Sequence, residues 1–240
     1  MIINTLSIII PIFNEENTIY NLLESIKSVK LLNDIGKEIV LVNDGSTDNS
    51  DSVITKFRVD YPNVKIIYIN LNENIGKGNA IHVGIQKASG DYLVIQDADL
   101  EYDPNEFNIL LKPILKGVAD VVYGSRFVGS NPHRILFFWH SIGNKFLTSL
   151  SNIFTNINLT DMETCYKMFD SSMIKSLQLK EKRFGFEPEV TAKISRIPKV
   201  RIYEVGISYF GRTYSEGKKI GWRDGFEAIY CILKYNLWSK

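Results

Sequence analysis

Short runs of apolar residues, rich in Ile and Val, alternate with helix-like segments through the first 125 residues of this chain. The run at residues 6–13 is almost continuously apolar, which is typical of a strand buried on both faces of a sheet. Between the runs, apolar residues recur at helical spacing. This alternation predicts an α/β fold with a mostly parallel sheet flanked by helices.

The predicted strands of this first half cover residues 6–13, 38–43, 64–70, 92–96 and 119–124, and the predicted helices 15–30, 47–58, 78–88 and 103–116. The second half is less regular. There we predict helices at 134–154, 171–177, 187–197 and 221–237, and strands at 164–169 and 199–208. Since no linker or repeat interrupts the chain, we predict a single domain over 1–240, divided into halves 1–125 and 126–240.

Composition limits the classes of partner and compartment. The formal net charge is +1, so nucleic acid is not expected as a partner. The two cysteines, Cys165 and Cys231, indicate neither a disulfide framework nor a zinc cluster and suit a reducing cytosol. Residues 1–11 lack a basic leader and predict a buried strand, not a signal peptide. No stretch reaches the ~20 apolar residues that cross a bilayer, so we expect a soluble or peripheral protein.

Polar or glycine-rich segments follow all five strands of the first half, at residues 11–16, 43–48, 74–79, 96–101 and 124–126. Any one of them is explained equally well by turn and cap chemistry. In open α/β sheets, however, ligands bind beyond the carboxyl ends of the strands. Five such segments on one sheet edge therefore predict a binding site.

Asp97 and Asp99 stand just past the fourth strand and are separated by one residue. Two carboxylates at this spacing repel each other unless a cation joins them, and oxygen ligands suit Mg²⁺ or Mn²⁺. Such a metal also neutralises a diphosphate leaving group. The alternative is a cap cluster before the helix that begins at Asp103 and Pro104.

Together, segments 11–16, 43–48, 76–78, 97–99 and 124–126 resemble the family 2, GT-A-type inverting glycosyltransferases. Within that family the chain is most similar to the polyprenyl-phosphate sugar transferases of the dolichol-phosphate mannose synthase group, over residues 6 to about 215. The resemblance implies a Rossmann-like GT-A fold, with a nucleotide-sugar-binding half at 1–125 and an acceptor-side half at 126–240. It also implies transfer of a sugar from a UDP- or GDP-sugar to a dolichyl or undecaprenyl phosphate, for cell-envelope glycan or glycoconjugate synthesis.

The resemblance also assigns donor-side roles. Pro11, Phe13, Glu15 and Asp44 would line the nucleoside pocket, and Lys77 would lie near the base, ribose or phosphates. The expected ligands of Mg²⁺ or Mn²⁺ are Asp97, Asp99 and Glu101, the last at a position that is often glutamine in relatives.

On the acceptor side, Arg126 is the main candidate for binding the acceptor phosphate, because a guanidinium pairs with phosphate in a bidentate manner. Catalysis is therefore expected to depend on Asp99 and Arg126. Arg134, Arg212 and Lys218 are further candidates for phosphate binding, the last two in a basic segment at 211–219 that resembles a loop closing over the diphosphate.

Two alternatives remain open at this point. A phosphate acceptor is already ionised and needs no general base, whereas a saccharide hydroxyl would need a carboxylate such as Glu187 or Glu189. A non-catalytic nucleotide-sugar-binding module is the alternative from another class.

Aromatic and basic residues in segment 132–154 suit a lipid interface, and filling the domain core is the competing explanation. His133 and His140 of this segment are interpreted as interface or packing residues, not metal ligands. Members of the resembling group often carry C-terminal transmembrane helices, which this sequence lacks. We therefore expect peripheral docking on the cytoplasmic face of a membrane, or an anchor supplied by a membrane partner.

Overall fold

The computed structural model describes residues 3–129, 134, 135, 137–212 and 222–238. One sheet of seven strands forms the centre of the molecule, with helices on both sides. The strands are β1 Thr5–Ile12, β2 Gly36–Asn43, β3 Ile66–Asn70, β4 Tyr92–Ile95, β5 Val121–Ser125, β6 Lys167–Asp170 and β7 Ile202–Gly206. The helices are α1 Ile19–Ser28, α2 Ser50–Asp60, α3 Lys77–Lys87, α4 Phe107–Leu115, α5 Phe138–Thr155, α6 Ser171–Ser176, α7 Phe186–Ile194 and α8 Trp222–Leu233.

The strand order is β3-β2-β1-β4-β6-β5-β7. All neighbouring pairs are parallel except those made by β6, which runs antiparallel to both β4 and β5. Consequently β1 to β5 and β7 all point their carboxyl ends at one edge of the sheet. The predicted mostly parallel α/β sheet is confirmed.

The core forms because the strands are apolar on both faces and the helices each bury one stripe. In β1, Ile8, Ile9 and Ile10 are all inaccessible to solvent. The buried residues of α1 are Ile19, Leu22, Leu23 and Ile26, which is the spacing of one helical face. Each such side chain contributes about 1.5–3 kcal/mol by leaving water, so the sheet edge that carries the polar segments rests on a rigid base.

Several boundaries differ from the predictions for local reasons. The first helix begins at Ile19 and not at residue 15, because Glu15 forms a turn in which Thr18 Oγ1 donates to its carboxylate at 2.7 Å. The strand predicted at 164–169 runs from Lys167 to Asp170, and its end is held by hydrogen bonds from Asp170 N to Asp120 O and from Ser171 N to Asp91 O. The last helix passes into a π-helical segment at Lys234–Trp238. Both cysteines are free and buried.

Among the residues described, none of the helices combines the length and the apolar character needed to cross a bilayer.

Candidate active site

A cavity of about 440 Å³ opens at the sheet edge where the parallel strands end. Ten of the twelve residues predicted for the site line this one cavity: Pro11, Phe13, Glu15, Asp44, Lys77, Asp97, Asp99, Glu101, Arg126 and Arg212. Residues from the first 125 positions and from the rest of the chain therefore share one space. The predicted convergence of strand ends is what brings them together.

Asp44, just after β2, holds the loop that leads into α3. Its carboxylate accepts hydrogen bonds from the backbone N–H groups of Ile75, at 3.1 Å, and Gly76, at 2.8 Å. Gly76 has φ +126°, and a Cβ there would meet Lys182 O at 2.5 Å, so this position requires glycine. Asp44 thus shapes one wall of the cavity by holding the backbone of Ile75 and Gly76 in place.

Lys77 is the first residue of α3 and lies between two acidic groups. Its Nζ is 2.8 Å from Asp97 Oδ1 and 3.7 Å from Glu187 Oε1. These carboxylates raise the pKa of Lys77 well above its ordinary value, although burial acts in the opposite direction. Lys77 is therefore a fixed cation beside Asp97.

Arg212 lies against the other cavity carboxylates. Its Nη2 donates to Asp99 Oδ2 at 3.1 Å, and its backbone N–H donates to Glu101 Oε1 at 2.7 Å. Glu101 also accepts a hydrogen bond from Tyr209 at 2.6 Å. Leu100, between the two acidic residues, has φ +64°, a left-handed backbone that is costly for leucine and turns both carboxylates to the cavity side.

The carboxylates in this part of the cavity outnumber the cations. Two cations serve four carboxylates. Lys77 pairs with Asp97, and the guanidinium of Arg212 lies near Asp99, Glu101 and, at 3.9 Å, Glu15. Burial, and then repulsion from Asp97 and Glu101, raises the pKa of Asp99 to about 7. A hard oxygen donor set with surplus negative charge fits a divalent cation.

The geometry does not bring the predicted three-carboxylate ligand set together. In the part of the chain described, no group of three or more His, Cys, Asp or Glu side chains is arranged to hold a metal. Glu101 accepts hydrogen bonds from Tyr209 and Arg212, and Asp97 forms an ion pair with Lys77. A metal held here would use Asp97 and Asp99 and would take further oxygens from a ligand.

Arg126 follows β5 and is fixed by a buried carboxylate. Its Nε donates to Asp161 Oδ2 at 2.6 Å and its Nη2 to Asp161 Oδ1 at 2.8 Å, while Nη2 also reaches Asn144 of α5 at 3.3 Å. Its guanidinium carbon lies 5.1 Å from the ring centroid of Tyr209. Within the described residues, Nη1 of Arg126 makes no hydrogen bond. An anion in the cavity can use this donor.

The remaining predicted residues lie elsewhere. Arg134 is outside the cavity lining, but its Nη1 donates to Gly211 O at 2.8 Å, next to Arg212. Lys218 and His133 lie outside the described residues. Glu189 is fully buried and accepts from the backbone N–H groups of Lys180 and Glu181, which makes it a structural residue and not a candidate base.

Sequence reasoning missed several residues of the site. Arg183 and Phe184 line the cavity from the loop before α7, and Tyr209 lines it from the segment after β7. Asp161 pairs with Arg126 across 35 positions of sequence. One feature of the sequence sets Asp161 apart: it is the first acidic residue after residues 127–160, which contain no Asp or Glu.

The aromatic residues of segment 132–154 are exposed wherever they are described, apart from part-buried Phe154. Phe138 is 66% exposed and Trp139 77% exposed, and Phe137, Ile142 and Phe146 are also exposed. The alternative explanation, that the aromatic residues of this segment fill the domain core, is therefore wrong for the exposed ones. We call the exposed set Ile135, Phe137, Phe138, Trp139, Ile142, Phe146 and Ile153 the α5 apolar surface.

Comparison with known proteins decides the family. The model of glycosyl transferase family 2 matches residues 7–178, which include most of β1, all of β2 to β6 and most of the cavity lining. The chain belongs to glycosyl transferase family 2. The family resemblance inferred from the strand-end segments is thereby confirmed.

Three curated relatives are similar in sequence to this family 2 chain, at low identity. Undecaprenyl-phosphate 4-deoxy-4-formamido-L-arabinose transferase of Proteus mirabilis is 30% identical, over 90% of this chain and 63% of that protein. Dodecaprenyl-phosphate galacturonate synthase of Rhizobium johnstonii is 26% identical, over 89% and 61%. UDP-N-acetylglucosamine–dolichyl-phosphate N-acetylglucosaminyltransferase of Methanococcus voltae is 27% identical, over 94% of each chain. The chain thus spans less than two thirds of the first two.

Among solved structures, the family 2 chain is similar to glucosyl-3-phosphoglycerate synthase of Mycobacterium tuberculosis. This chain superposes on the crystal structure of that enzyme with Mn²⁺ and UDP-glucose with a TM-score of 0.72. The two chains are 17% identical, and the match covers 97% of this chain and 79% of that one. At this identity the likeness concerns the fold. It confirms the predicted GT-A-type architecture.

Proposed function

We propose that this chain transfers a sugar, with inversion, from a nucleotide diphosphate-sugar to a polyprenyl phosphate, in cell-envelope glycan or glycoconjugate synthesis. The names of the three curated relatives, which all specify a polyprenyl or dolichyl phosphate, support this acceptor class. The observation that carries the proposal is the position of Arg126, which lines the same cavity as Asp97 and Asp99 and has a donor group left for an anion. Under this proposal the cavity accommodates both the diphosphate of the donor and the phosphate of the acceptor.

On the donor side, we assign Pro11, Phe13, Glu15 and Asp44 to the wall that receives the nucleoside. Asp97 and Asp99 would hold Mg²⁺ or Mn²⁺, which supplies Lewis-acid stabilisation of the diphosphate leaving group. Lys77 then offers a cation beside the phosphates.

On the acceptor side, the phosphate oxygen attacks the anomeric carbon from the face opposite the leaving group. A new carbon–oxygen bond forms, the bond to the diphosphate breaks, and the nucleoside diphosphate departs with the bonding electron pair. A phosphate monoester is ionised at neutral pH, so no proton needs to be removed. Glu187 faces Lys77 and does not line the cavity, which argues against a hydroxyl acceptor that would depend on it as base. Arg126 offsets the repulsion between the two anions.

The lipid tail of such an acceptor needs an apolar surface next to the cavity, and we assign this role to the α5 apolar surface. The surface begins beside the cavity wall, because Arg134 N donates to Tyr209 O and Arg134 Nη1 to Gly211 O, each at 2.8 Å. Residues 127–160 contain no Asp or Glu but include Arg134 and Lys145, a charge pattern suited to anionic lipid. We therefore propose that the protein acts peripherally at the cytoplasmic membrane face.

The decisive experiment incubates the protein with a panel of UDP- and GDP-sugars, Mn²⁺ or Mg²⁺, and a short-chain polyprenyl phosphate. The expected result is a labelled, chloroform-soluble product with one of the donors. Donor turnover only with saccharide acceptors would replace the proposal by the hydroxyl-acceptor reaction. Donor binding without turnover on any acceptor would indicate a non-catalytic binding module.

A further inference from the structure

Tyr209 is a cavity-lining residue that the reaction described above leaves without a role. It follows β7 and is only 5% exposed, although it borders the cavity. Its hydroxyl donates to Glu101 Oε2 at 2.6 Å, and its backbone carbonyl accepts from Arg134 N at 2.8 Å. The residue is therefore held both at the tip of its side chain and at its backbone.

The ring of Tyr209 is also confined by its neighbours. The ring of Tyr102 packs against it, with 5.3 Å between the two centroids and an angle of 59° between the planes. A Cβ at position 211 would come within 2.5 Å of Cε1 of Tyr209, so the glycine there leaves room for the ring. With its hydroxyl bonded and its sides packed, the ring is a fixed wall of the cavity.

The guanidinium of Arg126 lies over this ring, with 5.1 Å between its central carbon and the ring centroid. A cation within about 6 Å of an aromatic face is attracted to it. Asp161 accepts from Nε of Arg126 at 2.6 Å and from Nη2 at 2.8 Å, which fixes one edge of the guanidinium. A planar group that is held at one edge can still tilt about that edge. The ring of Tyr209 limits this tilt from one side.

We propose that Tyr209 is a positioning residue whose ring orients the guanidinium of Arg126 for the acceptor phosphate, while its hydroxyl, bonded to Glu101, fixes the ring. This inference rests on the proposed function, since it concerns the acceptor that Arg126 binds. Tyr209 acts on the acceptor through Arg126 and not by its own charge. A guanidinium that is already oriented loses less conformational freedom when an anion binds, so loss of the ring weakens acceptor binding.

The test compares Tyr209→Phe, Tyr209→Leu and Tyr209→Met with wild type, by the KM for a short-chain polyprenyl phosphate and the KM for the nucleotide-sugar. All three variants lack the hydroxyl and only the first keeps the ring, so the comparison among them isolates the ring. We expect an acceptor KM about tenfold higher in the Leu and Met variants than in the Phe variant. The effect is limited because Asp161 and the ring of Phe127, 5.8 Å from the same guanidinium carbon, remain.

The donor KM should agree within roughly twofold among the three variants. Methionine adapts to irregular spaces, so the Met variant serves if the Leu variant fails to fold. A merely structural role of Tyr209 would lower the fraction of active protein, and hence kcat, without separating the two KM values. Equal acceptor KM values in all three variants would overturn the role of the ring.

Tyr68→Leu is the matched control. Tyr68 also donates its hydroxyl to a carboxylate, that of Asp51, and the guanidinium carbon of Arg58 lies 5.7 Å from its ring centroid. It is not among the residues that line the cavity. The substitution should leave both KM values as in wild type. A selective rise in acceptor KM in this control would overturn the assignment to Tyr209.

A direct measurement needs no substrate. In ¹H–¹⁵N spectra, the Nε–H signal of Arg126, identified by its absence from Arg126→Lys, senses the ring current of Tyr209. It should stay near its wild-type position in Tyr209→Phe and move in Tyr209→Leu. The same position in both variants would overturn the proposal whatever the acceptor is. Absence of transfer to polyprenyl phosphate by wild type would instead overturn the proposed function, and the acceptor-linked role of Tyr209 with it.

Discussion

Arg212 donates a hydrogen bond from Nη2 to Asp99 Oδ2 at 3.1 Å, so a guanidinium lies against one of the two carboxylates proposed to hold the metal. The same side chain is 3.4 Å from Glu101 and 3.9 Å from Glu15. A divalent cation and a guanidinium carry charge of the same sign and compete for these oxygens. If Asp99 holds the metal, the cation and Arg212 would therefore compete for the same carboxylate.

Replacing Arg212 with Gln should increase the affinity of the nucleotide-free protein for Mn²⁺ by about tenfold, or ~1.4 kcal/mol, because a competing cation is removed. The measurement is a Mn²⁺ titration followed by electron paramagnetic resonance. Arg201→Gln is the matched control, since Arg201 pairs with Asp120 elsewhere on the molecule. Weaker or unchanged Mn²⁺ binding in Arg212→Gln would contradict the competition.

Asp99→Asn should abolish the metal-dependent part of nucleotide binding, with a loss of affinity of about 100-fold. Asn keeps an oxygen that can accept the backbone hydrogen bond from Glu101, now 3.2 Å long, so the change removes mainly charge. Calorimetric titration of the nucleotide with and without Mn²⁺ measures the effect. Asp103→Asn, which alters the cap that accepts from Asn105, tests the capping alternative. Equal metal dependence in Asp99→Asn and wild type would exclude Asp99 as a ligand.

Arg126→Lys should raise the KM for polyprenyl phosphate by about 10- to 100-fold while the donor KM changes by less than threefold. Lysine retains the charge near Asp161 but loses the bidentate geometry of the guanidinium. Steady-state kinetics with each substrate varied in turn gives the comparison, and a thermal melt verifies folding. An equal increase in both KM values would place Arg126 outside the acceptor site.

Replacing both Phe138 and Trp139 with Glu should prevent binding to vesicles that contain anionic phospholipid. These side chains are 66% and 77% exposed, so the substitution does not disturb the core. Vesicle flotation measures binding, and turnover of a short, water-soluble acceptor should persist. Val59→Glu, at an exposed position of α2, is the control for an added charge and should float like wild type. Flotation of the double variant at the wild-type level would contradict the role of this surface.

Glu38→Gln should destabilise the protein at neutral pH but much less in acid. Burial alone would raise the pKa of Glu38, but hydrogen bonds from Lys65, Ser7 and Ser89 lower it to about 2. A lowered folded-state pKa means that the stabilisation is complete above the unfolded value and is lost as the pH falls toward 2.

We expect a cost of roughly 1 to 2 kcal/mol at pH 7, limited because solvent reaches Lys65 and screens the pair. Chemical denaturation of wild type and variant at a series of pH values measures the difference. A difference that stays constant from pH 7 down to about pH 3 would show that charge at Glu38 does not contribute.

The parallel sheet and the cavity residues that directly follow its strands were predictable because local patterns encode them. The strands are apolar on both faces, and residues such as Asp44, Asp97 and Asp99 follow their strands directly in sequence. Two contacts in the cavity depend on pairs that are distant in sequence. Asp161 joins Arg126, and Arg212 joins Asp99 across 113 positions, and no periodicity indicates either contact.

The exposure of the aromatic residues of α5 could not be predicted from the sequence either, because an amphipathic pattern is the same whether a helix faces a core or a bilayer. In contrast, the buried first strand followed from composition and position alone.

The antiparallel strand β6 lies between β4 and β5, although it comes from the half of the chain that follows residue 125. An exchange of acceptor-side segments between related enzymes would therefore replace an interior strand of the sheet and not only a surface appendage. A fragment that ends at residue 125 would leave β4 and β5 without the partner that joins them, with unpaired backbone groups prone to association. Chimeras designed to change the acceptor should retain Lys167–Asp170 and graft only the segments outside this strand.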